Sequence, residues 1–370
     1  LIFCLLGAAI AVSIYKISND PEQGVSSLGH YINTSRAMGI VSAILLSVVI
    51  AFTCGTLVMY VSRMIFSFRY TALFRRYGSL WCGASLTAIV YFAVFKGLKS
   101  ILADHAFIQL IDNHLPSAIA ICWVVCSLLL FFIQRFKINI LRITILSGTF
   151  ALALAFAGND LVNFVGVPLA AMQSAGIAAS AEAANPALTP TTLYMGALKE
   201  SVVTPTIWLI ISGLIMVCTL WFSPKAQRVV QTAINLSASE RSEKEQFGST
   251  VGARVLVRSG LGVNRIINQI LPRSVLDNID RHFEKPRLKK GEVPLPFDQV
   301  RASVNLVLAS ILIATATSMK LPLSTTYVTF MVAMGSSLAD GAWDRETAVY
   351  RISGVMAVIS GWFLTAFTAF

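Results

Sequence analysis

Two short polar groups, each set in an apolar stretch, hold the residue types that could do chemistry. The first is Gly158-Asn159-Asp160-Leu161-Val162-Asn163, and Asp160 is the only acid between Asp112 and Glu182. An ionisable residue inside an apolar helix costs about 2.5–3.5 kcal/mol to place in a bilayer, so it marks a functional site by default. Gly158 can open a helix, and Asn159 and Asn163 add carbonyl oxygens. A carboxylate among neutral oxygens suits a hard monovalent cation such as Na+; alternatively Asp160 carries a proton. Backbone amides freed at a broken helix end favour an anion. The second group is Lys320-Leu321-Pro322-Leu323-Ser324-Thr325-Thr326. Three hydroxyls beside consecutive backbone amides form a donor-rich nest that takes oxyanions without a full positive charge. Lys320 is the nearest cation and either snorkels or draws an anion in.

The elements that must position these groups follow from composition. Of 370 residues, 56% are hydrophobic and 13% charged, with a mean hydropathy of +0.72, against about 25% charged in a soluble domain. That excludes a soluble globular enzyme, a disordered chain and a disulfide scaffold. Residues 63–77 (+4), 134–142 (+3) and 223–301 (+6) together carry +13 and the rest of the chain −2, for a net charge of +11. Basic residues confined to a few loops between apolar runs are the positive-inside pattern of a multi-pass membrane protein, and they argue against a nucleic-acid-binding surface.

Apolar runs long enough to count as spans lie at 37–62, 80–98, 117–133, 141–179, 206–222, 302–318, 323–339 and 352–370, with 1–15 as a remnant. With the three basic loops cytoplasmic, parity makes 16–36 and 99–116 external and 340–351 cytoplasmic, and allows 141–179 a single crossing. As a straight helix that stretch is about 58 Å long, far beyond the bilayer's apolar core of about 30 Å. A break at the polar centre 158–163 is expected. Residues 302–339 form two short pieces around Pro322, which removes an amide donor and disfavours helix before it. They read as a re-entrant hairpin with Ser324-Thr325-Thr326 near the tip, since irregular backbone at membrane depth survives where it lines a cavity or is buried.

An internal repeat is visible. Arg36-Ala37-Met38-Gly39 aligns with Arg351-Ile352-Ser353-Gly354, and at the same offset Ala51-Phe52-Thr53 meets Ala366-Phe367-Thr368. Upstream, Leu6-Gly7-Ala8-Ala9 resembles Met334-Gly335-Ser336-Ser337. Parity places the two copies in opposite orientation, which is how many secondary transporters are built. The alignment predicts a fragment that lacks most of its first repeat. The fold expectation is therefore all-α: a polytopic membrane protein with inverted-topology repeats, a broken helix and a re-entrant hairpin. Its parts are membrane helices over 1–222, a basic loop over 223–301 and the hairpin with a last helix over 302–370. Within the loop, Val251 to Leu271 reads as an amphipathic helix on anionic lipid.

Other chemistry is not signalled. The six cysteines sit in apolar runs without zinc-ligand spacing, and the four histidines are isolated. Gln173-Ser174 could line the same cavity as Asp160, and Glu200 pairs locally with Lys199. No phosphate-binding loop, dinucleotide fingerprint or nucleophile elbow occurs. The expectation is a protein that is no enzyme and needs no cofactor apart from a coupling ion.

The two groups, in this order and separated by a large basic loop, resemble the inorganic phosphate transporters of the PiT type. That family carries two Gly-Ala-Asn-Asp-like signatures with a downstream Asn, each followed by a Pro-x-Ser-Thr-Thr hairpin. Residues 158–163 and 322–326 look like the second copies. The resemblance implies cation-coupled symport of inorganic phosphate, by Na+ or H+, in the cell membrane. Asn159, Ser324, Thr325 and Thr326 would contact phosphate, and Asp160 and Asn163 the cation, Na+ if coupling is to sodium. It also implies a homodimer embedded in lipid. Two departures stand out: Ala157 precedes Gly158, where the family has Gly before Ala, and Tyr327 stands where His often follows Thr-Thr. The alternatives are a transporter of sulfate or a similar oxyanion, and a membrane scaffold or channel subunit in which Asp160 joins helices.

Overall fold

The computed structural model describes residues 2–19, 28–68, 70–92, 113–187, 204–226, 298–319, 323–340 and 345–370, with a few isolated positions between. The described residues are helical and include no strand. In chain order the helices are α1 (Ile2–Ser18), α2 (Leu28–Tyr31), α3 (Thr34–Ile65), α4 (Thr71–Val90) and α5 (Leu115–Arg135), then α6 (Ile140–Ala184), α7 (Thr206–Phe222), α8 (Gln299–Ser318), α9 (Thr325–Ala339) and α10 (Arg345–Ala369). Among the described residues, five segments are long and apolar enough to cross a membrane: Ala37–Ile65, Leu115–Arg135, Ile140–Ala184, Gln299–Ser318 and Arg351–Ala369. Large apolar side chains such as Leu46, Val49, Val125 and Phe132 stand exposed on them, as expected of helices that are apolar all round.

The ends of several spans have local causes. Pro116 occupies the first turn of α5, where its missing N–H is no loss. Lys137, at φ 61°, turns the chain into α6, and the Asn139 side chain accepts from Leu141 N at 3.0 Å. Helix α8 starts at Gln299, three residues before the apolar run, because Asp298 Oδ1 accepts from Arg301 N at 2.9 Å and caps it.

Two expectations need restating. The break at 158–163 is absent: α6 is one helix of 45 residues through the motif and past Pro168. Gly158 costs a helix only about 1 kcal/mol, and Asn159, Asp160 and Asn163 keep their amides, so nothing there forces the backbone open. Pro168 removes one rung of the ladder without ending it. The second concerns spans. The 80–98 run is helical from Thr71 to Val90 and extends beyond the described residues, while α7 has 17 residues and α9 has 15, short of a full crossing. Lys320, Pro322, residues 20–27 and most of 251–271 and 99–116 also lie outside the described residues.

The chain divides into two compact units, Leu1–Ala155 with Ala233–Phe370, and Phe156–Thr232. The first is built on the contact of α9 with α3, which run in the same direction. A Cβ on Gly335 would meet the Phe52 carbonyl and Thr56, and one on Gly55 would meet the backbone of Val332. Glycine on both partners lets the backbones touch, which is how packing holds helices together where no water drives association. Helix α8 lies antiparallel to α9, and Ser336 Oγ donates to Asn305 Oδ1 across that seam at 2.6 Å. Beside them α4 packs on α5, where Trp123 Nε1 donates to the Leu80 carbonyl at 3.0 Å. Gly335→Leu should lower the melting temperature of the detergent-purified protein by several degrees, overpacking costing about 1–3 kcal/mol. Gly361→Ala, with open space at its Cβ, should leave it unchanged.

Candidate functional site

The Asp160 group lies in the 156–232 unit. Asn159 and Asp160 are both half-buried, and Asn159 Nδ2 donates to Asp160 Oδ1 at 3.0 Å. That bond sets the Asn159 amide and the Asp160 carboxylate side by side on the same turn. Asn163 follows within the same helix. Downstream, Gln173 Nε2 donates to Thr204 Oγ1 at 3.4 Å, tying the second half of α6 to the segment entering α7.

The hydroxyl group lies in the other unit, at the apex between α8 and α9. Ser324 is the N-cap of α9, with ψ 117°, and its hydroxyl makes no capping bond. The first rung is Val328 N to the Ser324 carbonyl at 3.1 Å, so the amides of Thr325, Thr326 and Tyr327 precede the helical ladder. Thr325 is buried, whereas Thr326 is exposed and Ser324 half-buried. Consecutive helical positions point about 100° apart. The backbone amides with one or two hydroxyls, rather than all three hydroxyls, are therefore what this turn can offer to one anion. The Tyr327 ring stacks on Trp362 of α10, with centroids 3.5 Å apart and planes at 19°.

At the other end of the same hairpin is a charge cluster that sequence reasoning missed. Arg63, in the last turn of α3, donates from Nη2 to Asp298 Oδ2 at 2.7 Å and to Asp340 Oδ2 at 3.1 Å, and from Nε to Asp340 Oδ1. Arg301, in the first turn of α8, donates from Nε to Asp340 Oδ2 at 2.8 Å and again from Nη2. Side chains of Arg63, Arg301 and Asp340 expose no surface, and that of Asp298 exposes 11%. The Phe68 ring covers the Arg63 guanidinium at 3.9 Å, and Phe66, Phe74 and Trp81 pack edge-on alongside. One carboxylate thus holds two guanidiniums, and the four charges sum to zero.

Signals for this cluster were present but weak. Asp298-x-x-Arg301 is a capping spacing, and Asp340 directly follows an apolar helix. Arg63, counted as a loop charge, is instead buried. The cluster also joins loops that parity assigned to one side: the segments at 63–70, 298–301 and 340 meet here, and Asn139 Nδ2 reaches Gln299 Oε1 at 3.1 Å. Among the described residues no group of three or more His, Cys, Asp or Glu could hold a metal. Comparison with protein-family models, with curated proteins and with solved structures finds no match.

Breaking the cluster one member at a time should be costly. Arg63→Ala or Asp340→Asn leaves a buried charge uncompensated, worth about 3–5 kcal/mol, and should appear as a large fall in melting temperature and in folded yield. Tyr70, beside the cluster, has its phenol pushed up by burial, then by Asp298, against a lowering by Arg63. A raised phenol favours the neutral form in the folded state, so its contribution is complete below the ordinary tyrosine range and lost as pH climbs through the raised value. Tyr70→Phe should make thermal melting less sensitive to alkaline pH, measured from pH 9 upward.

Proposed function

We propose that this chain belongs to a secondary transporter that moves inorganic phosphate together with Na+ or H+, without breaking a bond. The observation that carries the reading is the presence in one chain of an Asn-Asp couple on a long apolar helix and a Ser-Thr-Thr turn at the apex of a two-helix hairpin. In this reading Asn159 and the 324–326 turn hold phosphate, while Asp160 and Asn163 hold the cation. The hairpin α8–α9 would be re-entrant, its 15-residue second arm being about 22 Å long and unable to cross alone.

The inverted-repeat part of the proposal draws support from packing. The repeat pairs α1 with α9 and α3 with α10. Gly335 of α9 packs on α3 at Phe52 and Thr56, and Gly7, its counterpart, packs on α10 at the Phe370 carbonyl. Phe370 corresponds to Gly55 at the repeat offset, within one helical turn of the α3 contact. Convergence of 63–70, 139, 298–301 and 340 at one end supports the parity that places the basic loops together in the cytoplasm. A homodimer in the lipid of the cell membrane belongs to the same proposal.

The test is uptake of radiolabelled phosphate into proteoliposomes of the full-length gene product, under an inward Na+ gradient or a proton gradient. Gradient-driven accumulation is expected, with sulfate a poor competitor. Asp160→Asn should reduce it to background while gel-filtration profile and melting temperature stay unchanged, because the half-buried side chain keeps its size and its bond from Asn159. Loss of folded protein in that variant would favour an interhelix role for Asp160. Absence of uptake from well-folded protein under either gradient would end the transporter reading.

A further inference from the structure

We infer that the Arg63–Asp298–Arg301–Asp340 cluster is a gate: a lock that closes one end of the α3–α8–α9 group and comes apart in water when that end opens. The inference rests on the transporter reading above for its purpose, and on the cluster's own geometry for its mechanism. All four residues sit at helix ends: the last turn of α3, the cap and first turn of α8, and the C-terminal residue after α9. They therefore occupy the boundary between apolar interior and water, and Asp298 already touches solvent.

Stability alone is a poor reason to place four charges there. Desolvation costs several kcal/mol per ion, and an Arg–carboxylate–Arg triad exchanged for apolar residues of similar volume is often as stable or more so. What charge adds is a low cost of separation. Each member is well hydrated once exposed, whereas an apolar plug of the same size would resist opening by the whole of its buried area. The closed arrangement is also incomplete, since Arg63 Nη1 is buried and finds no acceptor among the described residues. A buried unmade donor costs about 1–3 kcal/mol, which water returns when the lock opens. The seam behind it continues the same character: Ser336 and Asn305 are buried and hydrogen-bonded across α9 and α8, one turn inward from Asp340 and Arg301. Water entering past the opened cluster would meet polar groups next.

The experiment uses the full-length protein with its cysteines replaced by alanine and Ser336→Cys as the reporter. A membrane-impermeant maleimide is applied to either face of oriented vesicles. The reporter should be labelled from the face carrying the basic loops. In the triple variant Arg63→Met/Arg301→Met/Asp340→Leu, melting temperature should match or exceed that of the parent, labelling should slow by about tenfold or more, and uptake should fall in step, tenfold corresponding to about 1.4 kcal/mol on the opening barrier. Arg63→Lys, a point charge that cannot bridge two carboxylates as a guanidinium does, should speed labelling; this arm decides if the triple variant does not fold. Labelling unchanged in both variants, with only melting temperature altered, would make the cluster a static brace and overturn the gate. Labelling needs no phosphate, so failure of uptake in the parent would sink the transporter reading while leaving the gate to be judged on labelling alone.

Discussion

One carboxylate shared by two guanidiniums organises the better-packed part of this molecule. Asp340 ends α9, Arg301 begins α8 and Arg63 ends α3, so their bonds hold three helix ends at a common level. The hairpin α8–α9 then has its depth set from its open end, and with it the level of the Ser324 turn at the apex. Register along the seam follows directly. Asp340 faces Arg301 and, one turn up, Ser336 faces Asn305, as antiparallel helices locked at their ends must do. The same bonds exclude alternatives, since sliding α9 by one residue along α3 would pull Asp340 away from Arg63 and break the bonds between them.

Glycine supplies the remaining constraint on that group. With Gly335 and Gly55 at the crossing, α9 and α3 approach to backbone contact, and dispersion between closely packed atoms holds them there. The end charges give direction and level; the glycines give distance. At the far end Tyr327 on Trp362 adds a third attachment, to α10. Helix α9 is thus pinned at its C-terminal end by charge, in its middle by close packing and at its N-terminal turn by an aromatic stack. The first turn, with its amides outside the ladder, is consequently presented by a rigid element rather than by a loose loop.

Much of this was legible because membrane helices declare themselves by length and composition. The runs at 37–62, 117–133, 141–179, 302–318 and 352–370 each match a helix long enough to span, with ends moved by a few residues where Asp298 or Pro116 sets the start. The Ser324 turn was legible too, because Pro322 and three hydroxyls between apolar pieces leave few other readings. The charge cluster was not. Arg63 and Asp340 are 277 positions apart, and no periodicity links residues that meet only through folding. An arginine two residues before the end of an apolar helix looks like any positive-inside flank. Only three-dimensional packing shows that its partner lies at the end of another helix.

Helix α6 is where local and global arguments conflict most. Residue by residue 158–163 is a weak helix former, yet the backbone runs through it as helix without interruption. At 45 residues the result is about 68 Å long, more than twice the apolar thickness it would have to cross. A helix of that length satisfies its own backbone except at its two ends and at Pro168, yet it cannot keep both ends apolar inside one bilayer unless it is steeply tilted or continues beyond the membrane. The boundary between the two compact units falls at Ala155 and Phe156, a few residues before Asp160. Asp160 therefore lies close in sequence to the division between the two units, on a helix that runs through it without a break.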